Sequence, residues 1–269
     1  MPDTPLILDA DGPIATITLN RPNQLNALDV PMAEALESAV ETLAHKPDLR
    51  VIVLKGAGRG FMAGGDLGVI QRGLADGPEH VDAIMLPLHR TLLRLAEMPQ
   101  PVIASLHGPV AGAGMSVALA ADLAIAADNA TFTFAYTRIG TSPDGSGTWH
   151  LARLVGLRKA LEISLLADTL GATEAHRLGL VNFVVPTAEL AAHTTALAAR
   201  LAAGPTFAYG QTKRLLRDSL ARDMADQLEA ERAAFHACMG TADFAEGVAA
   251  FLGKRPADFT GRQTARPMS

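Results

Sequence analysis

Cysteine is almost missing from this 269-residue chain, and the single Cys238 rules out an intramolecular disulfide. No CxxC pair or His/Cys cluster with metal-ligand spacing stands near it, so no metal is expected. A surplus of positive charge is also missing: 23 Lys and Arg face 28 Asp and Glu, a formal net charge of −5. Nucleic-acid phosphates are held by clustered Lys and Arg that release counterions, so this balance argues against a nucleic-acid partner. The most apolar stretch, Val110 to Ala121, consists largely of Ala and Gly and stops at Asp122, short of the ~20 residues a membrane-spanning helix needs. The opening MPDTPLILDADG is acidic where a signal peptide would be basic, and no apolar run follows it. These absences predict a protein of the reducing cytoplasm with no membrane segment.

What is present is enough to fill a core. At 49% hydrophobic and 19% charged residues, the chain fits one large globular domain with room for a helical appendage. Ile14 to Leu19 alternates apolar and polar residues like a half-buried strand, and Asn20-Arg-Pro-Asn23 breaks it. Pro31 to Lys46 has helical spacing, with Asp29 placed to cap it. Arg50 to Lys55 is a continuous apolar run ending at Gly56, which predicts a strand buried on both faces. A helix around His80 to Glu97, a strand at Pro101 to Leu106, a helix from about Gly112 and a strand at Leu123 to Ala126 continue the alternation. The fold class is therefore α/β. Beyond Pro186 strand signals vanish, and His193 to Leu252 reads as three amphipathic helices divided by Gly204-Pro205, Gly240 and Gly253. A core over 1–192 and a helical region over 193–269 follow.

Two segments can carry chemistry. Gly56-Ala-Gly-Arg-Gly-Phe-Met-Ala-Gly-Gly-Asp-Leu67 is a glycine-rich turn leading from a strand into a helix, where backbone N–H groups can face a ligand unobstructed. It lacks GxGxxG order and a P-loop lysine, and its plainer reading is a tight loop with Asp66 as helix cap. His107-Gly-Pro-Val-Ala-Gly-Ala-Gly-Met-Ser116 also enters a helix through small residues, a composition that equally serves close helix-sheet packing. Two such helix starts can each aim one amide at the same oxygen, the arrangement that holds an enolate or tetrahedral oxyanion.

The segment Arg21-Pro-Asn-Gln-Leu-Asn-Ala-Leu28, the two loops and Ala175-His-Arg-Leu-Gly-Leu-Val181 together resemble the crotonase (enoyl-CoA hydratase/isomerase) superfamily, in family order, over essentially the whole chain. The resemblance implies a spiral of ββα units with two nearly perpendicular sheets and a C-terminal helical region that assembles trimers, often paired into hexamers. It implies an acyl-CoA thioester substrate, with coenzyme A part of the substrate and no separate cofactor. It places the oxyanion amides on Gly65 and Ala113, and the substrate and its coenzyme A along Asn26, Ala27, Leu28, Ala63, Asp66, Leu67, Gly112 and Tyr136, with Phe251 and Lys254 reaching the nucleotide end. Pocket-lining side chains in Ile70 to Met85 are expected to select the acyl group.

Hydratases of this superfamily use two glutamates. At those positions this chain has Ser116 and Tyr136, and a tyrosine with its ordinary pKa of ~10 stays protonated at neutral pH. The acid on offer is Asp144 in Ser142-Pro-Asp-Gly-Ser-Gly-Thr-Trp149, a segment most similar to the ring-opening isomerases of phenylacetate catabolism. Its plainer reading is a Pro-Asp-Gly turn in which Asp144 satisfies local backbone donors. As catalyst, Asp144 implies a double-bond shift with one carboxylate serving as acid and base, its pKa expected to rise by desolvation. The alternatives are an enoyl-CoA hydratase with atypical residues, a dehalogenase or thioester hydrolase, and a non-catalytic or RNA-binding family member. The dehalogenase alternative brings in His89 as base. Ser116 and His89 are accessory candidates, while His80, His107 and His150 have no assigned role.

Overall fold

The computed structural model describes residues 4–261 apart from 76 and 78. Strands β1 (Leu6–Asp9) and β2 (Ile14–Leu19) lead into α1 (Val30–Ala44), β3 (Val51–Gly56), α2 (Leu67–Gly73) and α3 (Glu79–Glu97). Next come β4 (Val102–Leu106), β5 (Pro109–Ala111), α4 (Ala113–Ala120), β6 (Leu123–Ala127) and β7 (Thr131–Thr133). They are followed by α5 (Gly147–Val155), α6 (Leu157–Leu166), β8 (Leu170–Gly171), α7 (Ala172–Arg177) and β9 (Phe183–Val185). Helices α8 (Leu190–Ala202), α9 (Thr206–Asp218), α10 (Met224–Met239) and α11 (Ala242–Leu252) complete the chain.

The larger sheet has the order β1-β2-β3-β4-β6-β9, antiparallel between β1 and β2 and parallel thereafter. Strand β3 is buried along Val51 to Leu54 as its apolar run predicts. Ile52 and Leu54 join the main core while Val51 and Val53 face a second apolar cluster with Leu190, Ala198 and Ala202 of α8. Helix α8 thus covers one face of the sheet, and Ser105 Oγ of β4 lies 2.9 Å from its Thr194 hydroxyl. The boundary expected between 192 and 193 falls inside this helix.

After each central strand the chain passes through a second, smaller sheet before entering a helix. Strands β5, β7 and β8 form it, and the segments around Met62 and Leu28 extend it through bridges to Val110 and Gly65. These strands are two or three residues long, too short to show any period in the sequence. The repeated strand, short strand, helix unit is the winding that the resemblance implies.

The C-terminal region departs from expectation in one respect. Four helices stand where three are expected, because the chain breaks after Asp218 and Asp223 restarts it, its carboxylate accepting the Asp226 N–H at 2.9 Å. Helix α9 is clipped to the body by Asp122, which accepts from Lys213 Nζ and from Arg217, each at 2.8 Å. Lys213 also reaches the carbonyls of Leu95 and Gln100. Burial pulls the Lys213 ammonium below its ordinary pKa, against the pull of Asp122. Residues 262–269 of the expected helical region, and 76 and 78 of the segment expected to select the acyl group, lie outside the described residues.

The two layers are in backbone contact where α4 begins. A β-carbon on Gly114 would collide with the Met62 carbonyl oxygen. Gly114→Ala therefore forces the smaller sheet and α4 apart, and we expect a stability loss of about 1–3 kcal/mol. A thermal melt checks this, and an unchanged midpoint would contradict the close approach.

Candidate active site

The first loop hangs from Asn26. This residue sits in the left-handed region at φ 57°, which Asn tolerates better than most side chains. Its buried amide donates to the carbonyls of Ala57, Gly60 and Phe61 at 2.9–3.0 Å, and its oxygen accepts the Arg21 N–H at 2.8 Å. The Asn26 side chain is thus wholly engaged inside the fold. Ala63 N–H donates to Leu25, Leu28 N–H to Gly64, and Asp66 N–H to Leu28. The Gly65 N–H is left outside this ladder, engaged by no acceptor among the described residues.

Arg21 ties the loop to α1 and α2. Its guanidinium meets Asp29 at 3.0 Å, Asp66 at 3.1 Å and the Ala27 carbonyl. Asp66 caps α2, accepting from Gly68 and Val69 at 3.1 and 3.2 Å. Burial would push its carboxyl up, but Arg21 and the two amides outweigh this and hold it below the usual range. The plainer reading of Asp66 is therefore met. Leu28 is core, whereas Leu67 is half exposed at the rim.

The second loop turns at Gly112, whose φ of 49° and ψ of −123° suit glycine alone. Gly112 N–H donates to Thr133 at 3.0 Å. Ala113 opens α4, and its N–H, like that of Gly65, has no acceptor among the described residues. A β-carbon on Gly112 would sit 3.5 Å from Gly64 Cα, and one on Gly64 would sit 3.2 Å from the Ala111 oxygen. Facing glycines thus bring the two helix starts together, each carrying one unclaimed amide.

One helical turn into α4, Ser116 meets both Tyr136 and Asp144. Ser116 Oγ lies 2.8 Å from Tyr136 Oη and 3.0 Å from the Asp144 carbonyl oxygen, and Tyr136 O–H donates to Asp144 Oδ1 at 2.5 Å. Ser116 is fully buried and Tyr136 nearly so, its ring edge-on to Phe134. Burial raises the Tyr136 phenol well above its ordinary pKa, and the negative charge of Asp144 raises it further, so it stays a donor. The Asp144 turn reaches Ser116 because Gly145 and Gly147 leave room: a β-carbon on either would press on Ser116. The plainer reading of Asp144 fails on one point, since its carboxylate is held by a tyrosine and not by local backbone donors.

The remaining candidates lie apart from this network. His89 on α3 makes no hydrogen bond or ion pair among the described residues, although its neighbour Leu88 packs toward Gly145. Phe251 lies in the last turn of α11 and Lys254 just beyond its end, Phe251 being 85% exposed beside an apolar groove lined by Phe207, Phe244 and Val248. His107 is tied to the Gly58 carbonyl at 2.9 Å. Burial, with Arg217 and Arg153 nearby, drives His150 down to about 4, so it is neutral at pH 7. The Arg21 latch and the Tyr136–Asp144 bond were not anticipated, because both join irregular segments that carry no periodic signal.

Strand, short strand and helix wound into two sheets, with two glycine-rich helix starts in contact, define a crotonase-fold protein. The family profile described as Enoyl-CoA hydratase/isomerase matches residues 9–262, and the chain belongs to that family. A 1,2-epoxyphenylacetyl-CoA isomerase of Escherichia coli strain K12 is 39% identical, over 93% of this chain and 95% of its own. A Rhodobacter capsulatus protein named "Probable enoyl-CoA hydratase" is 42% identical over the same shares. The crystal structure of an enoyl-CoA hydratase from Polaromonas sp. JS666 superposes with a TM-score of 0.90 at 33% identity, covering 94% of this chain and 99% of that one.

Adding a methyl group to Gly112 displaces the Ala113 amide relative to Gly65. Gly112→Ala is expected to lower kcat by ~10²–10³, the usual cost of losing one oxyanion donor. Steady-state kinetics of the folded variant test this, and wild-type turnover would remove Ala113 from the site.

Proposed function

We propose that the protein shifts a double bond within an enoyl-CoA thioester. The observation that carries this reading is the single carboxylate, Asp144, held by Tyr136 beside the first turn of α4. In a 3-enoyl substrate Asp144 takes a proton from the carbon next to the thioester, and the C–H electron pair moves into the carbonyl system. The enolate oxygen lies between the Gly65 and Ala113 amides, and the same proton returns two carbons further along. Nothing is consumed or released, so no cofactor is required and coenzyme A serves only as the handle of the substrate. Asn26 shapes the coenzyme A site through backbone neighbours such as Ala27 and Ala63, and Phe251 and Lys254 are assigned to the nucleotide end.

Ser116 and Tyr136 support isomerisation over hydration, because neither buried hydroxyl is a base for activating water. The resemblance to a named isomerase points the same way, whereas the similarity to a named hydratase keeps water addition as the competing outcome. Purified protein given 3-enoyl-CoA and 2-enoyl-CoA separates the two by ultraviolet absorbance. Asp144→Asn is expected to lower isomerisation by ~10²–10⁴, the range for a positioned general base. Full activity in that variant would reject Asp144, and efficient hydration by the unaltered protein would reject the isomerase reading.

Self-association into a trimer or hexamer through the C-terminal helices belongs to the same proposal. Leu216, Leu220, Met224, Leu228 and Phe235 of this region are each more than half exposed, a run of apolar surface that isolated monomers rarely carry. Light scattering of the purified chain is expected to give a multiple of the chain mass, and a monomer would refute the assembly.

A further inference from the structure

We propose that Tyr136 is a positioning residue for the proton transfer: its phenol pins Oδ1 of Asp144, so that Oδ2 alone meets the substrate. The inference rests on Asp144 being the acid and base of the proposed function. It begins with a count of protons. Ser116 and Tyr136 bring one hydroxyl hydrogen each to a cluster with four oxygen-to-oxygen contacts, the longest of them from Tyr136 Oη to the Asp144 carbonyl at 3.5 Å. The Tyr136 hydrogen belongs on the charged Asp144 Oδ1, the strongest acceptor and the shortest contact. The Ser116 hydrogen is then divided between Tyr136 Oη and the Asp144 carbonyl. The result is a donor chain running one way, from Ser116 through Tyr136 to Oδ1.

Neither hydroxyl has a hydrogen left to donate to a substrate. Ser116 is fully buried, and the Tyr136 ring is fixed by Phe134 at a centroid distance of 5.1 Å. The carboxylate torsion of an aspartate is soft and nearly two-fold, so an unheld Asp144 would exchange its oxygens. Tyr136 is the one hydrogen-bond partner of that carboxylate among the described residues. The surroundings leave few other influences on its charge. From α3, Leu88 and Leu92 face the Asp144 turn, with half-buried His89 beside Leu88. From α4 it is faced by Ser116, and His150 of α5 is turned toward Arg153, Arg217 and Asp122.

Two consequences follow for Tyr136→Phe. Loss of orientation lowers kcat but not KM, because the hydroxyl does not touch the thioester. Loss of a donor to the anionic form makes Asp144 easier to protonate, so the acid limb of the pH–rate profile moves to higher pH.

The test compares isomerisation of a 3-enoyl-CoA by the wild type, Tyr136→Phe, Ser116→Ala, Asp144→Asn and the Tyr136→Phe/Asp144→Asn double variant, with a thermal melt of each. Tyr136→Phe should lose about tenfold in kcat, the scale of one hydrogen bond to a charged group, with KM unchanged and the acid limb raised. Ser116→Ala should shift in the same direction by less, and its profile carries the test if Tyr136→Phe does not fold. The double variant should be no slower than Asp144→Asn alone, because Tyr136 acts through Asp144. A wild-type kcat and profile in Tyr136→Phe, a change in KM alone, or a further loss in the double variant would overturn the positioning role. Undiminished activity in Asp144→Asn would instead overturn the proposed function itself.

Discussion

The site depends on one steric constraint, the approach of two polypeptide backbones to within van der Waals contact where the smaller sheet meets the start of α4. Gly64 faces Gly112, Gly114 lies against the Met62 carbonyl, and Gly108 lies against Arg59. Side chains at these points would hold the strands apart. With them absent, the ladder runs unbroken from Leu28 to Thr133, and the two helix starts approach at Gly64 and Gly112. Backbone donors are well suited to an oxyanion, because they cost no reorganisation once the fold has set them.

That constraint explains why so much polar machinery near the site serves the scaffold. The Asn26 amide fills its bonds with three carbonyls of the glycine loop, and Arg21 joins Asp29, Asp66 and Ala27. The turn from Gly56 to Gly60 carries only Gly, Ala and Arg, so until Phe61 and Met62 enter the core its shape is imposed by buried hydrogen bonds that would be expensive to leave unmade. Two residues that the family resemblance assigns to coenzyme A, Asn26 and Asp66, thus spend their side chains on holding backbone in place.

Legibility in the sequence followed length and periodicity. Strand β3 and helices α1 and α3 were readable because an apolar run or a 3.6-residue stripe extends through several turns of evidence in the chain itself. Asp29 and Asp66 were readable as caps for the same reason, each standing just before such a stripe. The smaller sheet was not, since β5, β7 and β8 hold two or three residues each. The break between α9 and α10 was missed because Asp223 resembles the neighbouring helical acids until its cap is seen. The oxyanion loops were legible only as a pair and through family resemblance, as glycine alone does not distinguish close packing from ligand binding. The Tyr136–Asp144 bond joins a short helical turn ending at left-handed Gly140 to the irregular segment after it, eight residues apart, and no sequence pattern announces it.

The same burial that makes Tyr136 useful limits what the site can do. A phenol shielded from water and facing a carboxylate holds its proton firmly, so it serves as a donor and never as a base. Ser116, fully buried beside it, has no base of its own to activate it. Basicity in the network is thereby concentrated in one carboxylate, and on one of its oxygens if the other is pinned. Water addition asks for an activated water and a separate proton handler, whereas moving a double bond asks one group to lift a proton and set it down again. On the proposed reading, one oriented carboxylate and two backbone amides meet the second requirement without needing the first.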